Sequence, residues 1–280
     1  MPKVKWIQDK RIAAAHNPSM EASSAPEPAG FVWQGPKLRV WPILLVVVIG
    51  AFIIVGSFAA AMTILLHVDA RLIARKWPLA IILELFSLTL SLIGVSTARR
   101  WLPNADFAVR WPRDKTLVGK AVVWGIAFAA IMLLSDHGPR LVHGWAPDPP
   151  VHGAVDVAGW LTFNLLLGGL GEEALFRGLM LGVLEALSPS RVRFGSFSIS
   201  TAGVTVALLF ALAHAGNFAT EAWSIALGQQ VYAFGVGVLY AWMRERSGSL
   251  LAPIVLHSVS DFAEEAVVCA LAILLPHAPH

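Results

Sequence analysis

Apolar residues run along this chain in long blocks, separated by short polar or charged stretches. The first block, Val40 to Leu66, is charge-free and longer than the roughly 20 apolar residues a helix needs to cross a bilayer. A second runs from about Leu79 to Ala98 with Glu84 near its start, and a third from about Ala121 to Ser135. The loop Trp145 to Val151 that follows is too rich in proline for helix. Beyond it lie Val157 to Leu187, interrupted by charges, then Ser198 to Asn217 and the charge-free Ala222 to Met243. Two shorter pieces close the series, Leu250 to Phe262 and Ala266 to Leu275, the last only partly inserted. The pattern predicts an all-α, polytopic membrane helical bundle with seven or eight transmembrane segments. Ahead of it, Met1 to Arg39 reads as a polar tail, in which Val4, Ile7 and Ile12 would form one face of any short interfacial helix.

Composition agrees with that pattern. Of the 280 residues, 56% are apolar and 14% charged, whereas soluble domains run near 25% charged. A soluble core of this size could not hide so much apolar surface. One cysteine, Cys269, excludes a disulfide scaffold. The net charge of +3 does not point to nucleic acid, because the basic residues form short clusters between apolar runs. Their placement sets orientation instead. With the amino terminus inside, sixteen Lys and Arg fall on the inner side and four on the outer, Arg71, Arg75, Lys76 and Arg140. The amino terminus is therefore expected in the cytosol.

Ionisable groups inside a span are expensive and are functional candidates by default. They gather in three places: Glu172, Glu173 and Arg177; Phe210 followed by His214; and His257 followed by Asp261. Residues four apart share a helix face, so Glu173 is expected to reach Arg177, and His257 to reach Asp261. Glu172 points about 100° away from Glu173 and has no partner on its own helix. Taken singly, each group has a structural reading: the Glu173–Arg177 pair as an orienting ion pair, the histidines as packing residues. Glu84 and the pair Glu264-Glu265 read as interfacial. Taken together, the buried set suits water activation, with a glutamate removing a proton and histidines holding water and stabilising an oxyanion.

The motifs Glu-Glu-x-x-x-Arg, Phe-x-x-x-His and His-x-x-x-Asn/Asp, in this order, resemble the CAAX-protease and bacteriocin-processing family. Its members are glutamate-dependent intramembrane endopeptidases. The resemblance covers about Val157 to Ala270. It implies that Glu172 is the general base, that His214 helps bind water, and that His257 lines the oxyanion site. It also implies that Glu173 and Arg177, with Phe210, support the catalytic helix. Asp261 stands where the well-studied CAAX enzymes have asparagine. An ionised aspartate cannot donate to an oxyanion. Asp261 is either protonated by burial or, as preferred here, orients His257 and favours its charged form. The resulting division is a tail over 1–39, amino-terminal membrane segments over 40–150, a catalytic membrane domain over 151–276 and a tail over 277–280.

Two rivals remain. Glu172, His214 and His257 would make a three-ligand zinc set, although no His-Glu-x-x-His run is present. Without catalysis, buried Glu and His would suit an immunity protein, a scaffold or a proton-coupled transporter. The favoured expectation is a peptidase with no cofactor, acting on a membrane-associated peptide or protein in a bacterial cytoplasmic membrane. Counting about 1.5 Å per residue from the inner boundary, its site would lie in the inner half of the bilayer, open to the cytosol.

Overall fold

The computed structural model describes residues 31–36 and 39–276. The interfacial helix considered for Val4, Ile7 and Ile12 lies outside the described residues. The main helices are α1 (Val40–Val68), α2 (Trp77–Trp101), α3 (Thr116–Val142), α4 (Ala154–Leu187), α5 (Thr201–Ala213), α6 (Trp223–Ser247) and α7 (Leu251–Leu274). The first four, and α5 together with the 3-10 turn that extends it to Ala219, are long and apolar enough to cross a membrane. The protein is an integral membrane helical bundle.

α1 shows why the helices pack as they do. Its buried stripe, Val46, Gly50, Ile53, Ser57, Ala61 and Leu65, mixes apolar and small residues. Its opposite face, with Leu44, Val48, Phe52 and Val55, is equally apolar and exposed, which only lipid tolerates. Small residues do the same elsewhere. A Cβ on Gly182 would lie 2.6 Å from the Phe107 ring, and one on Gly237 would lie 3.1 Å from the Ala207 Cα. By contrast, α6 carries Gln229 and Gln230, and α7 carries Asp261, Glu264 and Glu265. Gln229, Asp261, Glu264 and Glu265 line a cavity inside the bundle.

Alternation of the helices gives the bundle two ends. At one, β1 (Phe31–Gln34), β2 (Arg191–Phe194) and β3 (Phe197–Ser200) form an antiparallel sheet in that order. Phe194 pairs with Phe197 across a two-residue turn, in which Gly195 takes φ +56° as hairpin turns require. The 102–115 connection lies at this end too, with the Leu250 N–H donating to the Ala108 carbonyl and Arg244 paired with Glu185. The far end holds the loops around Lys76, Asp148 and Glu221; there Arg75 pairs with Asp156 at 2.5 Å.

Three sequence expectations change. Leu250 to Phe262 and Ala266 to Leu275 are not two pieces but one continuous helix, α7. Its acids face the cavity and do not mark a boundary. The span expected from Ser198 begins at Thr201, because Ser198 and Ser200 belong to β3. The Ser200 side chain caps α5 by accepting from the Gly203 N–H at 2.8 Å. The expected span from Val157 is a broken helix, α-helical over Ala154–Leu166, interrupted at 167–169, and π-helical over Ala174–Met180.

Candidate active site

The break in α4 builds the site. Restarting a helix at Leu170 leaves backbone N–H groups without intrahelical acceptors, which lipid cannot satisfy. Neighbouring helices supply them. The Glu84 carboxylate of α2 accepts from the Gly171 N–H at 2.6 Å, and Ser258 Oγ of α7 accepts from the Gly169 N–H at 3.3 Å. Glycine is required at both positions. A Cβ on Gly169 would lie 2.7 Å from the His257 Cβ, and one on Gly171 would lie 2.5 Å from a Glu84 oxygen. Glu172 and Glu173 stand in the first turn of the restarted helix, held between α2 and α7.

Glu173 and Arg177 are both 0% exposed, and Arg177 Nη1 donates to Glu173 Oε1 at 2.8 Å. The guanidinium also lies over the rings of Phe210, at 4.3 Å, and Tyr240, at 4.8 Å. Its Nη2 donates to the Gly237 carbonyl at 3.3 Å. The same Glu173 oxygen faces His257 Nδ1 at 3.0 Å. His257 is stacked on Tyr240, with centroids 5.1 Å apart, and meets the edge of Phe210 at 5.9 Å. Its ring orientation is thus fixed on three sides.

That arrangement leaves His257 Nε2 pointing towards two other carboxylates. Glu172 Oε2 is 3.9 Å away and Asp261 Oδ2 is 3.5 Å away. Glu172 remains 35% exposed, to a cavity of about 810 Å³ that His214, His257 and Asp261 also line. His214 Nδ1 donates to the Phe210 carbonyl at 2.9 Å in the tautomer that leaves Nε2 as an acceptor. Glu172, His214, His257 and Asp261 therefore meet in one chamber, with Glu173, Arg177 and Phe210 packed behind them. Among the described residues, no group of three or more His, Cys, Asp or Glu is arranged to hold a metal ion.

The cavity occupies the half of the bundle away from the sheet. Its outermost residues, Lys76 and Glu221, belong to the far-end loops. The strand leading into α1 lies at the opposite end. A cytosolic amino-terminal segment and a site open to the cytosol thus exclude each other, and that joint expectation is corrected. Depth along each span says nothing of the open side.

Residues 154–263 match the family model of type II CAAX prenyl endopeptidase Rce1-like proteins. Over these residues, under half of the chain, the protein is similar to that family. The match begins where α4 begins and ends within α7, so it spans the helices that carry all four chamber residues. The match, together with the apolar helices, supports a membrane endopeptidase of the general CAAX type. No curated protein and no solved structure matches the chain.

The Rce1-like segment does not build the cavity alone. Glu84 from α2 and Asp136 from α3 line it, and both lie before the match. Glu84 is 4% exposed rather than interfacial, and Glu264 is also buried. The signal for Glu84 was the one that exposed Glu172: a carboxylate in an apolar run with no basic residue four positions away. Replacing Glu84 by alanine strands a buried N–H, at a cost of about 1–3 kcal/mol. It should also slow turnover by about tenfold or more through misplacing Glu172. Glutamine, which keeps an acceptor oxygen, should fall between. Thermal melting and turnover of the purified variants check this; an alanine variant with unaltered rate would remove Glu84 from the site.

Proposed function

We propose that the protein hydrolyses a peptide bond of a membrane-associated peptide or protein by a glutamate-activated water. The supporting observation is the division of labour between adjacent carboxylates. Glu173 Oε1 is held by Arg177 and His257 away from the cavity, while Glu172 faces the cavity opposite His257 Nε2. Glu172 takes a proton from water as the oxygen attacks the substrate carbonyl. In its doubly protonated form, His257 holds one N–H against Glu173 and offers the other to the developing oxyanion. Asp261, beside the same nitrogen, orients that N–H at rest. The C–N bond then breaks, and the leaving amine receives the proton held by Glu172. His214, with Nε2 free to accept, positions the attacking water.

The buried location keeps these dipoles strong, because little water competes with them. The basic residues concentrated at the sheet end support a cytosolic location for that end, in a bacterial cytoplasmic membrane. The cavity then opens to the outer half of the bilayer. The carboxylates and histidines in its wall suit the polar backbone of a peptide.

Comparing membranes from cells with the unaltered protein and cells with Glu172→Gln tests the reading. A peptide that accumulates uncut only in the variant supports it, and identical peptide profiles overturn it. The mechanism assigns no step to a metal. Cleavage by purified protein should therefore be unchanged by EDTA. Loss in EDTA with recovery on adding zinc would instead make Glu172, His214 and His257 ligands.

A further inference from the structure

Beyond the chamber, the cavity continues between α3, α6 and α7 towards the far end, and this extension is acidic. Asp136, Glu221, Glu264 and Glu265 line it. Glu264 is 8% exposed. It makes no hydrogen bond or ion pair among the described residues, and the charged groups within its reach are Asp136, Glu265 and Asp261, all acids. Asp136 is half satisfied: Oδ2 accepts from the Tyr232 hydroxyl at 2.9 Å, and Oδ1 is buried without a partner. Two basic groups line the same extension, Lys76 near Glu265 and His137 beside Asp136, which leaves Glu264 as the carboxylate among them with no basic neighbour. His257, Asp261, Glu264 and Glu265 follow one another at helical spacing along one face of α7.

We infer that Asp136, Glu264 and Glu265 form a subsite for a basic side chain, lysine or arginine, of the substrate. An ammonium or guanidinium carries several donors and one positive charge, matching Glu264 and the open Asp136 Oδ1, acceptors that have no donor. Carboxylates gathered in a low-dielectric cavity repel one another, and an entering cation removes that repulsion while being desolvated by the same walls. The position follows from the helix. Glu264 lies seven residues beyond His257, about 10 Å along α7. An extended peptide covers that distance in about three residues. The subsite thus selects a basic residue about three positions from the bond that is cut. Asp136, Glu264 and Glu265 all lie outside the family match, so the preference belongs to this chain. The inference rests on the proposed peptide hydrolysis.

Binding and cleavage test the two separately. The full-length protein carrying Glu172→Gln, purified in detergent, is titrated with fluorescent apolar peptides holding a single lysine. Twin peptides with norleucine in its place serve as the neutral reference. The lysine peptide should bind about tenfold tighter than its twin, and Glu264→Gln or Asp136→Asn should reduce that preference below about twofold. Unchanged affinity for the norleucine peptide shows that each variant is folded. Asp148→Asn, an exposed far-end acid outside the cavity, should leave the preference intact. Equal binding of the twins, or a preference that survives both cavity substitutions, overturns the subsite. The protein with Glu172 restored is then offered the same peptides. Lysine preference in binding without any cleavage keeps the subsite and overturns hydrolysis. Cleavage with no lysine preference does the reverse.

Discussion

Glu172→Gln should abolish peptide hydrolysis, with a loss of about three orders of magnitude or more, while the protein inserts and melts as before. General base catalysis alone contributes about 10²–10⁴-fold. Here the base also fixes the water, so the upper part of that range is expected. Glutamine keeps the shape of the side chain and its place in the cavity wall. Nothing structural depends on the charge of Glu172: the Gly171 N–H is held by Glu84, and Arg177 and His257 Nδ1 are held by Glu173. Activity and stability should therefore separate. Glu173→Gln offers the contrast, because its oxygen serves two partners and its loss disturbs both. Single-turnover cleavage and thermal melting of the two variants, side by side, measure the separation. A Glu172→Gln protein that still cuts at more than about a tenth of the normal rate would remove it as the base.

Much of the chamber could be read from residue spacing. Glu173 and Arg177, four apart on a helix, form the expected pair at 2.8 Å. His257 and Asp261, also four apart, are neighbours at 3.5 Å. Long apolar blocks located the spans because lipid demands them whatever the packing. What spacing along one helix could not reveal is contact between helices. Nothing near Glu84 indicates that it meets Gly171, 87 positions away. Likewise, nothing near Glu173 indicates that His257 shares its oxygen with Arg177. The acids of α7 misled in another way. In water, Asp261, Glu264 and Glu265 would mark the end of a buried segment, so the helix reads as two pieces. They instead line the cavity inside the bundle, and the helix continues through them. The π-helical turn has a similar cause. It places Arg177 among Phe176, Phe210 and Tyr240, a requirement of the assembled core that the local sequence does not express.

Arg177→Ala should produce the largest loss of stability in the chain, about 3–5 kcal/mol, because it leaves a buried carboxylate without its cation. Set against a total stability of about 5–15 kcal/mol, that loss is severe. The arginine has three supports that alanine cannot replace: the Glu173 oxygen, the Gly237 carbonyl, and the faces of Phe210 and Tyr240. Melting in detergent should fall by on the order of 10 °C, with reduced accumulation in the membrane. Replacing the pair together, Glu173→Leu with Arg177→Met, removes both charges and fills similar space. Such replacements often recover stability. The double variant should therefore melt nearer the unaltered protein than Arg177→Ala does. It should nevertheless remain inactive, because losing the Glu173 carboxylate leaves His257 Nδ1 with no acceptor and its ring free to turn from Glu172. Recovery of folding without recovery of cleavage separates the two duties of the pair, supporting the helix and orienting the histidine. A double variant that regains both would confine the pair to support and leave His257 oriented by Tyr240 and Asp261 alone.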